Sequence, residues 1–400
     1  MTGKKAGLMC TLVTVAIAAG CGRMPLAINA ETNEFIGKAP KEIVDDSGTR
    51  YVLVGQAKTS EVEIGPHGLP EPADLPGNEE APEPETLEGL SEALRGVTLM
   101  GGYEYRQAEP ALELARLILA GKLPEARSPG SKNTAVDDEE PTESEEPSDA
   151  FEDTDRENLG SGQIALQQIE LKQIIGNDSR AVRRSNTSHP WRTMVQSDAG
   201  CTGTLISPTT IVTAAHCVYN TANNTWIKVG GNFPKYGRGA DAGDTTTYPY
   251  GRFTCYTVTV PGGWVDTNDV KYDYAVLKLN CSQTSSDWLG SWTASESTIE
   301  GRSTYLYGYP CDKNPYPQTW GMGLTAGGTY ITATKKYRVK HTIDTFGCQS
   351  GSAIYLKDDG KRYLIGIHKG SSGSRNHGKR WDSTVYNWVA GKSRYPEDAR

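Results

Sequence analysis

The stretch Asp344-Thr-Phe-Gly-Cys-Gln-Ser-Gly-Ser-Ala353 contains Ser350, a candidate nucleophile. Ser350 stands between Gln349 and a glycine, just after a turn that contains Gly347. Strings of this kind are common in turns, so the serine alone is weak evidence for an enzyme. A reactive serine also needs a base within hydrogen-bond reach and a third group that orients the base.

Candidates for both groups occur earlier in the chain. The run Cys201-Thr-Gly-Thr-Leu-Ile-Ser-Pro-Thr-Thr-Ile-Val-Thr-Ala-Ala-His-Cys217 has the pattern of strand, turn and strand, and ends with His216 beside a cysteine. Asp273 lies in Lys271-Tyr-Asp-Tyr-Ala-Val-Leu-Lys-Leu279, at the head of an apolar strand. Each alone has an ordinary structural interpretation, as a packed core histidine or a capping carboxylate. Together they predict His216 as general base and acid, Asp273 as orienting carboxylate and Ser350 as nucleophile.

Histidine, aspartate and serine in this order, each in this local setting, resemble the chymotrypsin-fold serine peptidases. The resemblance implies an all-β, chymotrypsin-like double β-barrel with a C-terminal helix over residues 173–400. The residue pattern also favours an all-β barrel, because short β-rich runs separated by Gly, Pro, Asn and Asp recur from about Gln173 onward. Only Asp382–Ala390, near the end, has a helical pattern.

Five strings are more specific and resemble the glutamyl endopeptidase branch of that family. They are Cys-Thr-Gly-Thr-Leu-Ile-Ser-Pro from Cys201, His-Cys-Val-Tyr-Asn from His216, Tyr-Asp-Tyr-Ala-Val from Tyr272, Gly-Tyr-Pro-x-Asp-Lys from Gly308 and Thr-Ile-Asp-Thr-Phe from Thr342. This resemblance implies cleavage after Glu, and less well after Asp, through an acyl-enzyme. It also implies that Thr345, His368 and the mature N-terminus bind the glutamate side chain of the substrate. Hydroxyl and imidazole groups can donate hydrogen bonds to a carboxylate.

Two alternatives stay open. Asp344 falls where trypsin has the aspartate that binds Arg or Lys, so cleavage after basic residues is the rival specificity. Gln349 replaces the aspartate that in trypsin pairs with the new N-terminal amine on activation, so that switch is absent here. The second alternative is an inactive protease-fold binding protein, for which Cys348 is the only support.

Cys348 departs from the family pattern. The oxyanion hole of this family uses the backbone N–H groups of the serine and of the residue two before it, usually a glycine. Cysteine keeps its N–H and lacks only the conformational freedom of glycine, so the hole is assigned to Cys348 and Ser350. The resemblance further implies three disulfides, namely Cys201 with Cys217, Cys255 with Cys281, and Cys311 with Cys348.

The N-terminus has the pattern of a targeting signal. Lys4 and Lys5 precede a short apolar run that ends with small residues, which predicts a signal peptide over residues 1–20 and a secreted protein. Cys21 follows as either the ordinary end of the signal or a lipid-attachment site. Six further cysteines fall in the C-terminal part, and an even number in an exported chain predicts disulfides.

The charge is distributed unevenly along the chain. Residues 1–172 carry 15 Lys or Arg against 32 Asp or Glu, whereas residues 173–400 carry 26 against 17. Residues 136–157 are nearly all Asp, Glu, Ser, Thr and Pro, so they cannot bury enough apolar surface to fold and predict a solvated linker. The basic C-terminal body favours acidic substrates.

Residues 21–172 are therefore predicted to be an acidic, partly disordered propeptide ahead of a protease domain over 173–400. Within the propeptide, residues 22–132 are either a small folded domain or a spacer; Arg50–Gly55 has a strand pattern and Ala108–Ala120 a helical one. Cleavage is expected near Lys172–Gln173, with Arg180 and Arg184 as alternatives.

The expected partners are protein or peptide substrates and the chain's own propeptide, with no nucleic acid, and the protein is predicted to be a monomer. No cofactor or metal is expected, since the calcium of some relatives has no local ligand cluster here.

Overall fold

The structure is a computed structural model that describes residues 12–15, 26–45, 47–63, 86–131, 174–175, 177–182, 188–237, 248, 251–280, 283–312, 320–323, 333–335, 337–372 and 375–392. The predicted linker, residues 136–157, and the expected cleavage site at Lys172–Gln173 lie outside these residues, as do Cys21, Arg184 and Cys281. None of the described helices combines the length and the apolar character needed to cross a membrane.

The N-terminal segment forms strands and two short helices. The strands are β1 (Leu12–Val15), β2 (Leu26–Asn29), β3 (Glu34–Phe35), β4 (Glu42–Val44), β5 (Arg50–Gln56), β6 (Thr59–Glu61), β7 (Gly96–Met100), β8 (Tyr103–Gln107) and β9 (Arg127–Ser128). The helices are α1 (Leu87–Ala93) and α2 (Leu112–Leu119). The side chain of Thr86 accepts a hydrogen bond from the Gly89 N–H and thereby caps α1.

The first barrel follows. Its strands are β10 (Ala181–Val182), β11 (Met194–Ser197), β12 (Cys201–Ser207), β13 (Thr210–Thr213), β14 (Tyr219–Asn220), β15 (Thr225–Lys228), β16 (Tyr236–Gly237), β17 (Arg252–Phe253), β18 (Tyr256–Pro261) and β19 (Ala275–Leu279). Helix α3 (Gly262–Thr267) and three 3₁₀ turns (Trp191–Thr193, Ala215–Cys217 and Val270–Tyr272) connect them. Three of these strands lie outside its sheet: β10 pairs with a strand of the second barrel, and β14 and β15 form a small sheet with β6.

The second barrel completes the fold. Its strands are β20 (Gly290–Trp292), β21 (Thr304–Gly308), β22 (Trp320–Gly323), β23 (Ala333–Lys335), β24 (Arg338–His341), β25 (Ala353–Asp358), β26 (Lys361–Ser372) and β27 (Arg375–Arg380), with helices α4 (Glu296–Ile299) and α5 (Ser383–Ala390). Its strands are ordered β10-β22-β21-β25-β26-β27-β24-β23. The prediction of an all-β, chymotrypsin-like double barrel with a C-terminal helix is confirmed.

The sheet of the first barrel does not stop at its own strands. It runs β17-β16-β11-β12-β13-β19-β18 and then continues through β7, β8, β5 and β4 of the N-terminal segment. Strand β6 pairs in parallel with β15, and β9 pairs with β20. The described residues between 26 and 131 thus form a folded part of the molecule that is packed on the barrels.

Candidate active site

His216 and Asp273 meet because they flank two neighbouring antiparallel strands. His216 lies in the 3₁₀ turn that follows β13, and Asp273 lies two residues before β19, whose first residue Ala275 is paired with Thr213. The Asp273 Oδ2 lies 2.9 Å from the His216 Nδ1, and the backbone N–H of His216 donates to Oδ1 at 2.9 Å. Burial would raise the pKa of Asp273, but the charge and hydrogen bonds of His216 outweigh it and lower that pKa below its ordinary value.

Ser350 lies in the tight loop before β25. Its hydroxyl donates to the backbone carbonyl of Lys369 at 3.1 Å, and the His216 Nε2 is buried without a hydrogen-bond partner. The loop is held by its backbone, since the Thr202 N–H donates to the Ser350 carbonyl at 2.8 Å. Gly351 has φ +89° and no room for a Cβ against Thr202 and Thr213, so only glycine fits after the serine.

The backbone around Cys348 has the conformation that glycine usually supplies. Cys348 has φ +74°, and its disulfide to Cys311 spans a Cα–Cα distance of 5.5 Å. The Thr202 hydroxyl donates to the Cys348 carbonyl at 3.0 Å. The N–H groups of Cys348 and Ser350 have no hydrogen-bond acceptor within the described part of the chain. Two donors in this loop are therefore free to bind an oxyanion.

A second disulfide anchors the histidine turn. It joins Cys201 to Cys217 with a Cα–Cα distance of 6.0 Å. Cys255 is also disulfide-bonded, and its expected partner Cys281 lies outside the described residues. Cys201, His216 and Cys217 are close enough to suggest a metal site, but the two sulfurs are bonded to each other and offer no thiolate to a metal.

The two predicted pocket residues are both buried. His368 is joined through its backbone to the nucleophile loop, accepting from the Gly351 N–H and donating to the Ser352 carbonyl, each at 2.8 Å. The pKa of His368 is well below its ordinary value because the ring is buried, with the charges of His341 and His216 as further causes. The hydroxyl of Thr345 is buried without a hydrogen-bond partner.

Two further histidines were missed by the sequence analysis. The His341 ring centroid lies 5.5 Å from that of His368, and His377 lies on the strand between theirs. Burial lowers the pKa of His341 to about 3 and that of His377 well below its ordinary value. His341 lies 27 residues before His368 and 36 residues before His377, so no local sequence pattern connects it with them. The strand order β24-β27-β26 brings the three histidines together.

Asp344 binds the chain segment that precedes the first barrel. Its Oδ1 accepts from the Ile175 N–H at 2.8 Å, and its Oδ2 accepts from the N–H and hydroxyl of Ser179 at 3.0 and 2.5 Å. Arg180 follows, with a fully buried side chain that forms ion pairs with Asp178 and Asp312 at 2.7 and 2.5 Å. Both oxygens of Asp344 are thus used within the protein.

Comparisons with known proteins find relatives of this chain among the proteases. The family model described as Trypsin matches residues 179–391. The chain is 35% identical over 233 residues to "Extracellular metalloprotease" of Bacillus subtilis, covering 56% of this chain and 70% of that protein. It is 28% identical over 235 residues to "Glutamyl endopeptidase" of Bacillus licheniformis, covering 54% and 69%. The solved structure of a Glu endopeptidase in complex with MPD matches 54% of this chain and 97% of that one, with 26% identity and a TM-score of 0.44.

Proposed function

Because the chain belongs to the trypsin family of serine proteases, we propose that it is a secreted endopeptidase, made as a zymogen, that cleaves after Glu and less well after Asp. Ser350 is the nucleophile, His216 the general base and acid, and Asp273 the orienting carboxylate. The observation that carries this proposal is the buried contact of 2.9 Å between His216 Nδ1 and Asp273 Oδ2. A neutral histidine that donates from Nδ1 has an unprotonated Nε2, which is what a base for the serine requires.

The chemistry follows from this tautomer. When the Ser350 hydroxyl turns from the Lys369 carbonyl to the His216 Nε2, its oxygen attacks the carbonyl carbon of the scissile bond and its proton passes to Nε2. The N–H groups of Cys348 and Ser350 donate to the oxyanion that forms. The Nε2 proton then passes to the leaving amine, and water, deprotonated by the same nitrogen, hydrolyses the acyl-enzyme. No metal or cofactor takes part in any of these steps.

Three observations support cleavage after Glu rather than after Arg or Lys. Asp344 is buried and accepts three hydrogen bonds from Ile175 and Ser179, which use most of the acceptor capacity that a guanidinium or ammonium group would need. The Thr345 hydroxyl and the neutral His368 ring can each donate to a substrate carboxylate. The relative named Glutamyl endopeptidase adds to this support.

Secretion and a zymogen are supported by the signal pattern, the acidic linker and the disulfides, which form in oxidising compartments. Activation follows from cleavage near Lys172–Gln173. The alternative at Arg180 is disfavoured, because its fully buried side chain is held by two carboxylates and is not accessible to a protease. Many Glu residues in 136–157 offer sites for self-cleavage, and Cys21 is the site of any lipid anchor on the precursor.

The test is hydrolysis of matched peptides that differ only at the cleaved residue, Glu against Arg, by the processed protein. We expect preference for Glu, full loss of activity in Ser350→Ala, and no effect of a metal chelator. Preference for Arg would assign specificity to Asp344 and overturn the pocket. Loss of activity with chelator, and its persistence in Ser350→Ala, would instead favour the metal dependence that the name of the Bacillus subtilis relative describes. No hydrolysis of either peptide would leave the inactive binding protein.

A further inference from the structure

We propose that the N-terminal module, the described residues between 26 and 131, is not discarded on activation but stays bound as a second chain of the mature enzyme. This rests on the proposed function only in assuming that activation cuts the chain between Ser131 and Ile175. The partner that the protease body recognises is therefore a segment of its own precursor.

The module completes the sheet of the first barrel. Strand β7 pairs antiparallel with β18, with Leu99 opposite Val258 and Val97 opposite Val260. The hydroxyls of Thr98 and Thr259 are 2.9 Å apart across this pair. Strand β18 has β19 on its other side, so without β7 its backbone would form the open edge of the sheet. Addition of a strand to such an edge is a recurrent mode of protein recognition.

The contact is a shared core rather than a surface patch. Leu94, Val97 and Leu99 are 0 to 2% exposed and belong to one hydrophobic cluster with Trp264 and Trp388 of the protease body. The Trp388 Nε1–H donates to the backbone carbonyl of Leu94 at 2.7 Å. Release of the module would therefore divide this cluster and leave the Trp388 indole N–H without this acceptor. Contacts of this kind resemble permanent interfaces more than transient ones.

Charged and polar contacts surround this core. Arg106 forms a two-point ion pair with Asp266 at 2.7 and 2.9 Å. The Asn33 side chain both donates to and accepts from the backbone of Tyr256, at 2.9 and 3.1 Å. Two-point contacts fix orientation as well as contributing energy. They hold the module in one register on β18 and α3.

The module comes near the catalytic aspartate, since its Leu90 and Ile118 line a small cavity with Tyr272 and Tyr274, the two neighbours of Asp273 in the chain. Its strand pairs and hydrogen bonds reach β15, β18, α3, β20 and α5, and within the described part of the chain none of them goes to His216, Asp273 or Ser350. None of these contacts occupies a catalytic side chain, so a retained module is compatible with catalysis. Cleavage of the linker and release of the module are thus separate events.

The described residues on either side of segment 132–173 are bound to the protease body. At one end the Ser131 N–H donates to the Trp288 carbonyl at 3.0 Å, and the Ser131 hydroxyl binds Asp287. At the other end Asp344 accepts from the Ile175 N–H. A cut anywhere between these points leaves each new terminus attached through contacts that do not depend on the linker.

The experiment uses the full chain with Ser350→Ala, so that self-cleavage cannot occur, and with a site for an unrelated protease placed within residues 136–157. After complete cutting we expect both fragments to elute together at the volume of the uncut protein. The melting temperature of the cut protein should fall on dilution, because unfolding then separates two chains, whereas that of the uncut protein should not. Separate elution of the fragments would overturn the proposal.

A charge reversal at the rim tests the interface without disturbing the core. Arg106→Glu should raise the apparent dissociation constant of the cut fragments by about tenfold or more, because a paired contact becomes a like-charge one. Combination with Asp266→Arg should restore binding. Arg116→Ala is the control, since Arg116 is 61% exposed and pairs only within its own helix, with Glu113. Equal effects of Arg106→Glu and Arg116→Ala would contradict the assigned interface.

Retention does not depend on catalysis in this design. If the fragments stay together but the processed wild-type protein cleaves no peptide, the proposed function fails and the inference about the module stands. If the protein cleaves after Glu but the cut fragments separate, the inference fails and the proposed function stands.

Discussion

Two segments that precede the barrels are attached to them by opposite means. The N-terminal module is joined by a strand ladder and a shared apolar core, in which Leu94 is fully buried. The pocket segment, residues 174–182, is joined by polar groups, with Asp344 accepting from Ile175 and Ser179 and with Arg180 held between two carboxylates. Within the residues described, its strand pairing is limited to the two residues of β10 that pair with β22.

The difference separates stability from specificity. Apolar burial stabilises a fold in proportion to area and carries no directional information. Hydrogen bonds to a single carboxylate are directional, and Asp344 is the residue directly before Thr345 of the predicted pocket. We therefore expect changes in the module to lower the free energy of unfolding and changes in the pocket segment to alter substrate choice.

The largest effect is expected from Leu94→Ala. Removal of a fully buried leucine leaves a cavity and should lower the free energy of unfolding by about 2–5 kcal/mol. Urea unfolding would measure this, and kcat/KM for a Glu peptide should be unchanged in the folded protein. Leu119→Ala is the matched control, because Leu119 is 48% exposed on α2 and should cost about 0.5 kcal/mol or less. A similar small cost for both would contradict a shared core.

Asp344→Asn should have the next largest effect. It changes the contacts of the pocket segment and should therefore lower activity. The amide keeps one acceptor but loses the charge, so the hydrogen bonds to Ile175 and Ser179 weaken by about 1.5–3 kcal/mol. We expect kcat/KM for Glu peptides to fall about tenfold to a hundredfold, with no gain for Arg peptides. Asp359→Asn, in an exposed hairpin turn, is the control. Loss of Arg cleavage alone would instead make Asp344 the pocket residue.

Acid should lower the free energy of unfolding through the buried histidines of the second barrel, before it affects the N-terminal module. His368 of the predicted pocket is buried together with His341 and His377 on three neighbouring strands, and burial lowers the pKa of all three. The unfolded chain therefore binds more protons below about pH 6.5, and the free energy of unfolding falls as pH falls, by about 1.4 kcal/mol per pH unit for each histidine. Urea unfolding between pH 7.5 and 5.5 measures the slope.

His341→Leu gives the control for that measurement. It removes one of the three buried histidines, so the slope should decrease by about one proton. An unchanged slope would mean that other groups dominate the pH dependence. The module contributes no histidine of its own, since the only one before residue 188 is His67, which lies outside the described residues.

The smallest effect is expected from Arg106→Ala in the uncut protein. The Arg106 and Asp266 side chains are 32% and 45% exposed, and an ion pair of this exposure contributes about 0.2–1 kcal/mol. Urea unfolding at low and high salt would show the cost shrinking as salt is added. A cost as large as that of Leu94→Ala would reverse the assignment of core and rim.

The sequence predicts best what lies close together along the chain or on adjacent strands. Asp382 was included in the C-terminal helix and caps it, accepting from the Val385 N–H. His216 and Asp273 could be paired in advance because each stands at the end of a strand with a recognisable pattern. The strand pattern at Arg50–Gly55 and the helical pattern at Ala108–Ala120 correspond to β5 and α2.

Contacts between distant segments could not be predicted. Gly96–Met100 is buried at every position only because it pairs with β18, about 160 residues later, and nothing in its own sequence identifies that partner. The histidine cluster likewise depends on strand order. The Ser350 hydroxyl bonds to Lys369 rather than to His216 through a choice of side-chain rotamer, which no sequence pattern encodes.

The pairing of β7 with β18 also bears on solubility. A recombinant protein that begins at residue 173 would present Tyr256–Pro261 as a bare strand edge, beside the apolar surface of Trp264 and Trp388. Exposed edges of this kind template pairing between molecules and lead to aggregation. Insoluble material from such a protein would reflect a missing strand, and addition of residues 26–131 in trans during refolding is the remedy that the sheet itself indicates.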